Sequence, residues 1–202
     1  MQKTSIRKHS PARLLWAGLL LAVIIAAAVI IEHRRDAERV ARINRAYPFI
    51  PSPNYDWRPP FTTVNCVVLH ATAEPTLPGT IGVFKRSANR VSAHFVVDRD
   101  GQVVQMVPVQ DKAWHAGASE LDGQFNVNDF SIGIEMVNID DGLQTYPDAQ
   151  YRAVAHIIKL LRTCYDIPDD RIVSHAQIAR PPGRKPDPRG FDFGKLRRML
   201  DK

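Results

Sequence analysis

Three short runs rich in β-branched and apolar residues constrain this chain more than any other feature: Thr62–His70, Ser131–Val137 and Ile172–Ser174. Each reads as a strand. The first ends on His70 and the third delivers His175, so two histidines sit where strands open into loops. In an α/β sheet that is the usual place for residues that do chemistry. Alternation along Ser131–Val137 puts Ile132, Ile134 and Met136 on one face and Gly133 and Glu135 on the other.

Helical periodicity separates the strands. Pro147 suits a first helical turn, and Tyr151, Val154, Ile157, Ile158, Leu161 and Tyr165 form an apolar stripe that Pro168 ends. Shorter helices are predicted over Pro78–Ala88, facing inward through Ile81 and Phe84, and over Phe191–Leu200, packing through Phe193, Leu196 and Leu200. Ser92–Asp98 and Gln102–Val107 read as a hairpin, because Asp100-Gly101 is a strong turn signal. Strands interleaved with helices predict an α/β domain with a central mixed sheet flanked by helices.

The chain has 202 residues and a net charge of +6, and the charge is unevenly placed. Residues 1–45 hold nine of the Lys/Arg and three of the Asp/Glu, which accounts for the whole +6 and leaves eighteen of each sign in 46–202. A neutral folded part argues against nucleic-acid binding. Within the basic arm, Leu14–Ile31 is an uncharged, mostly apolar run preceded by Lys3, Arg7, Lys8 and Arg13. That length is at the short end for a membrane-spanning helix, and the distribution of basic residues favours a cytoplasmic N-terminus. The competing reading is a signal peptide cleaved near Ala26-Ala27-Ala28, although the apolar run continues through Val29-Ile30-Ile31. Either reading exports the domain. The expected organisation is a cytoplasmic tail (1–13), a transmembrane anchor in the inner membrane (14–31), a linker (32–60) whose prolines from Pro48 to Pro60 make an extended tether, and a periplasmic domain (61–202). The two cysteines, Cys66 and Cys164, lie in apolar-periodic segments and are expected as free core thiols.

The chemistry concentrates in Ile172–Pro188. Pro186 and Pro188 push Lys185 and Asp187 toward extended conformations, so the two side chains, two residues apart, project together. His70, His175 and Asp187 form a His₂-carboxylate set, which leaves a fourth zinc position open for water as catalytic sites do. A cation such as Lys185 beside them suits an electrophilic step. Glu135, on an otherwise apolar strand, reads either as a salt-bridged structural residue or as a base whose pKa burial has raised. Of the other histidines, His156 falls opposite the helix stripe and is expected on the surface. His94 alternates within a strand as a partial-core residue, and His115, in the Trp114–Gly117 loop, is a candidate substrate contact.

Five blocks in order, VVLHATA (67–73), RVSAHFVVDRDGQVVQMVP (90–108), AWHAGAS (113–119), NDFSIGIEMVN (128–138) and SHAQIARPPGRKPDP (174–188), closely resemble the zinc-dependent N-acetylmuramoyl-L-alanine amidases. The resemblance covers about residues 62–200 and extends to peptidoglycan recognition proteins and phage lysozyme-type amidases. It implies an amidase-like fold, Zn²⁺ on His70, His175 and Asp187, Glu135 as general base on the activated water, and Lys185 stabilising the oxyanion. Trp114, His115 and Asn138 are expected substrate contacts. The implied substrate is peptidoglycan or a muropeptide, with the chain expected to act as a monomer. The alternative is a membrane-tethered peptidoglycan-binding protein without catalysis, which the receptor branch typifies by an incomplete metal set. The recycling enzymes most resembled are cytoplasmic, whereas the arm here predicts export.

Overall fold

The computed structural model describes residues 11–201, with side chains from Leu20 onward and that of Trp16. The chain divides into two compact units, one up to Arg39 and one from Val40. The first is the greater part of a single helix, α1 (Pro11–Ile43). The expected tail 1–13 lies mostly outside the described residues, as do the first side chains of the expected span. Among the described residues no helix is long and apolar enough to cross a membrane. The expectation of a spanning helix therefore draws no support from the fold.

The second unit is built around one sheet. In chain order its elements are β1 (Tyr55–Trp57), β2 (Cys66–Ala71), α2 (Leu77–Phe84), β3 (Phe95–Val97), β4 (Val103–Gln105), β5 (Asp111–Ala113), β6 (Glu120–Leu121), β7 (Gln124–Phe125), β8 (Ser131–Met136), α3 (Asp148–Leu161), β9 (Ile172–Ser174), α4 (His175–Ile178) and α5 (Phe193–Leu200). The central sheet has the order β4-β3-β8-β2-β9. β3, β8, β2 and β9 run parallel, and β4 is antiparallel to β3. This is the mixed α/β sheet the sequence predicts, with α2, α3 and α5 close to their expected places.

Alternate residues of β2 and β8 enter different surroundings. Val67, Leu69, Ile132, Ile134 and Met136 join the main core with Val154, Ile157, Ile158 and Leu161 of α3 and Leu196 and Leu200 of α5. A fully buried aliphatic side chain of this kind contributes about 1.5–3 kcal/mol. On the opposite face, Cys66 and Val68 pack with Ala116, Val127, Phe130, Val173 and Ile178, all supplied by loops, β9 or α4. α3 starts where proline permits, with Pro147 as N-cap. α2 is capped by Thr76, whose hydroxyl accepts the Gly79 N–H.

The proline-rich stretch is extended, as expected, and is laid along the domain. Ile50 and Ser52 donate to the carbonyls of Gln105 and Met106, each at 2.9 Å, and β1 pairs with β5. Asn54 donates to the carbonyls of Phe84, Arg86 and Val91 at 3.0–3.2 Å. Arg58 reaches under the site-bearing loops, donating to the carbonyls of Asn128, Asp129, Val109 and Ser131 at 2.8–3.3 Å. Both cysteines are free.

Candidate metal and active site

Parallel pairing places His70 of β2 beside Glu135 of β8. β9 stops at Ser174, which caps α4 reciprocally: its hydroxyl accepts the Gln177 N–H while Gln177 Oε1 accepts the Ser174 N–H. The capped turn presents His175 as the first helical residue. Asp187 is drawn to the same point because its carbonyl accepts the Ala176 N–H at 3.0 Å.

Three buried ligand atoms then converge. His70 Nδ1 lies 3.0 Å from His175 Nδ1 and 3.3 Å from Asp187 Oδ2, and His175 Nδ1 lies 3.1 Å from the same oxygen. The donor set fits a zinc ion by type and by spacing. Bonds of about 2.0 Å in a tetrahedron put neighbouring ligand atoms about 3.3 Å apart. His175 Nε2 lies 3.1 Å from the Ala116 carbonyl, to which only a protonated Nε2 can donate, leaving Nδ1 a bare lone pair.

Electrostatics agree with a cation site. Burial alone would raise the Asp187 carboxyl, but the His175 and His70 imidazoles beside Oδ2 outweigh it and hold the group far below the usual range. Burial lowers His70 to about 4, against the opposing pull of Asp187. Glu135 is pushed up to about 8 by burial and then by Asp187, with Lys185 offsetting part of the rise. Its Oε2 is buried without a hydrogen-bond partner. A buried carboxyl raised in this way, with one oxygen left free, has the chemistry of a proton acceptor and donor and lacks the partner that a structural ion pair needs. Lys185 is exposed, and its charge acts on both His70 and Glu135.

The structure gives each of the three expected substrate contacts a defined place. His115 is buried, its Nδ1 3.0 Å from His70 Nε2 and its Nε2 3.2 Å from Ser131 Oγ. It stands behind a ligand rather than facing solvent. Asn138 is spent on its own loop, donating to the Gln144 carbonyl at 2.9 Å and accepting the Asp140 N–H at 2.8 Å. Trp114 donates its indole N–H to Asp56 and lines a cavity of about 420 Å³ with Arg90 and Lys112. None of the three metal-site residues lines that cavity. His156 is on the surface, as expected. His94 is a core residue satisfied on both sides, accepting the Gly133 N–H and paired with the Asp111 carbonyl.

Sequence reasoning missed Asn128, whose Oδ1 accepts the N–H groups of both His115 and Ala116, and Arg58, which clasps the carbonyls around it. Nothing local marks either residue. The one available signal was Gly133, because a glycine inside a strand often marks a close approach: a Cβ there would lie 2.4 Å from the His115 ring.

The sequence pattern of the N-acetylmuramoyl-L-alanine amidases matches residues 60–190. The 1,6-anhydro-N-acetylmuramyl-L-alanine amidase AmpD of Escherichia coli (strain K12) is 38% identical over 173 residues, 76% of this chain and 91% of that protein. A crystal structure of a selenomethionine AmpD derivative superposes with a TM-score of 0.68 at 35% identity, covering 76% of this chain and 94% of that one. The amidase AmiD from E. coli, solved with anhydro-N-acetylmuramic acid-L-Ala-D-γ-Glu-L-Lys, gives 0.60 at 29% identity, covering 70% of this chain and 60% of that one. With a matching pattern over most of its length and a relative of this identity and coverage, the chain belongs to the N-acetylmuramoyl-L-alanine amidase family.

Proposed function

We propose that this amidase is zinc-dependent and hydrolyses the amide between N-acetylmuramic acid and L-alanine of peptidoglycan or anhydro-muropeptides, in cell-wall turnover or recycling. The observation that carries the reading is the buried triangle His70–His175–Asp187 beside the orphaned oxygen of Glu135. A Zn²⁺ held by those three residues would supply Lewis acidity and bring the pKa of a bound water to about 7. Glu135 takes the proton of the attacking water and returns it to the leaving amine of L-alanine. Burial raises its pKa above the ordinary carboxylate range, the direction that makes it a better proton acceptor. Lys185 offsets charge growing on the former carbonyl oxygen, a role worth about 2.7–4 kcal/mol where comparable donors have been removed. The complete ligand set argues against a binding-only protein. One chain supplies every group, which is consistent with a monomer.

The proposal includes the place of action: Leu14–Ile31 as an inner-membrane anchor with the domain in the periplasm. The uncharged run and the four basic residues before it support this. The test of activity is to incubate the full chain with a disaccharide–peptide and follow products by mass spectrometry. Separate sugar and a peptide beginning at L-alanine, lost with chelator and restored by Zn²⁺, is the expected result. Binding without cleavage would move the protein to the receptor class.

A further inference from the structure

Two metal-site histidines must each present Nδ1 as a bare lone pair, and the fold secures this by unequal means. His175 donates from Nε2 to a main-chain carbonyl, that of Ala116, which no substitution can remove. His70 has no such partner. Its Nε2 faces Nδ1 of another imidazole, His115, at 3.0 Å, and either ring is able to be the donor there.

The direction is settled further along the chain of contacts. Ser131 Oγ lies 2.6 Å from the Val127 carbonyl oxygen, which only accepts, so the single hydroxyl proton of Ser131 points at Val127. Ser131 Oγ is then an acceptor toward His115 Nε2 at 3.2 Å, which puts a proton on that nitrogen. A neutral His115 protonated at Nε2 carries a lone pair at Nδ1, so His70 Nε2 is the donor across the 3.0 Å contact. The reverse order would turn the Ser131 hydroxyl toward His115 and leave two oxygens 2.6 Å apart with no proton between them. It would also place a hydrogen on His70 Nδ1, in the middle of the ligand triangle.

His115 is held for this task at its backbone and at its ring. Asn128 Oδ1 accepts its backbone N–H at 3.1 Å, Ser131 fixes the far nitrogen, and the ring lies over Gly133, where any Cβ would collide with it. We propose that His115 is a positioning residue that, through Ser131 and Val127, locks His70 in the Nε2–H tautomer and so keeps Nδ1 free for the metal. This deepens the zinc reading above and rests on it. Outer partners of metal-ligating histidines characteristically change metal affinity 10–100-fold when removed.

The test uses the full chain, Zn²⁺ affinity by chelator competition, and the ¹⁵N imidazole spectrum of His70 in metal-free protein. Wild type is expected to show His70 protonated at Nε2 only. His115→Phe is expected to weaken Zn²⁺ binding 10–100-fold and to give His70 mixed tautomers. In His115→Gln, the carboxamide oxygen accepts from His70 and its nitrogen reaches Ser131, so affinity is expected to recover to within a few-fold of wild type. Ser131→Ala, a smaller change that serves if His115→Phe does not fold, is expected to loosen the tautomer and weaken binding by a smaller factor. A folded His115→Phe or Ser131→Ala with wild-type affinity and an unchanged His70 spectrum overturns the assignment. Wild-type protein that takes up no Zn²⁺ would sink the zinc reading itself, which is a different failure.

Discussion

The two faces of the central sheet are made from the same strands and obey opposite rules. Toward the helices, β2 and β8 present Val67, Leu69, Ile132, Ile134 and Met136 to apolar side chains of α3 and α5. Toward the loops, the alternating positions hold Cys66, Val68 and His70 on one strand and Ser131, Gly133 and Glu135 on the other. One face is held by volume filling alone, whereas the other adds to a smaller apolar cluster a chain of directed hydrogen bonds and a glycine that leaves room for an imidazole. A strand's period of two lets six residues serve both purposes, provided the register holds.

Substitutions on the two faces should therefore fail in different ways. Glu135→Gln is expected to lower turnover 10²–10⁴-fold while leaving Zn²⁺ content intact. Its thermal midpoint should be unchanged or raised, since it removes a buried acid with an unpartnered oxygen. Steady-state kinetics on a muropeptide together with metal analysis decide this, and near-normal turnover would remove Glu135 from proton transfer. On the helical side, Ile157→Ala should cost about 2–5 kcal/mol in denaturant unfolding through lost burial and a cavity. Metal affinity of the folded protein should not change, and a loss of both would mean the faces are not separable.

A third test concerns acid. His94 titrates at about 3 in the folded protein, mainly because it is buried and then because Arg58 is beside it. The unfolded chain binds that proton near 6.5, so this contribution is complete above pH 6.5 and is lost as pH falls toward 3. The slope is up to about 1.4 kcal/mol per pH unit. His94→Gln should flatten the fall in stability between pH 6 and 4 relative to wild type, and an identical slope would assign acid sensitivity elsewhere. The smallest effect expected is that of a reductant. Cys66 packs on the loop side and Cys164 against the helical core, so the sheet lies between them. Dithiothreitol should leave the melting temperature unmoved, and a drop would reveal a bridge.

The helical face was legible because its signal is local. The stripe Tyr151–Leu161 and the alternation in Ser131–Met136 need only neighbours within one element. The ligand triangle was legible by residue type and strand-end placement, and the family blocks fixed its membership. The backing of the site was not. Arg58 among prolines looks like part of a tether, and its four carbonyl partners lie 51 to 73 residues away. His115 beside Trp114 and Gly117 looks like an exposed loop residue, and its burial depends on Gly133 and Ser131 of another strand. Asn138 reads from sequence as a ligand-binding amide, and the turn that it closes out to Gln144 is visible only in the fold. Hydrogen bonds between distant segments leave no period to read.

The parallel edge strand β9 carries a consequence for the order in which the protein is completed. His70 and His175 are 105 residues apart, and Asp187 follows later still. A nascent chain that has emerged as far as Val137 already holds β2, β3, β4 and β8, four of the five strands of the sheet, yet owns a single donor. The hydrolytic centre comes into being only when β9 docks on β2 and the Arg180–Pro188 loop folds over α4. Residues up to Val137 alone therefore cannot bring His70, His175 and Asp187 together, and the triangle exists only where β9 and the loop after α4 are in place.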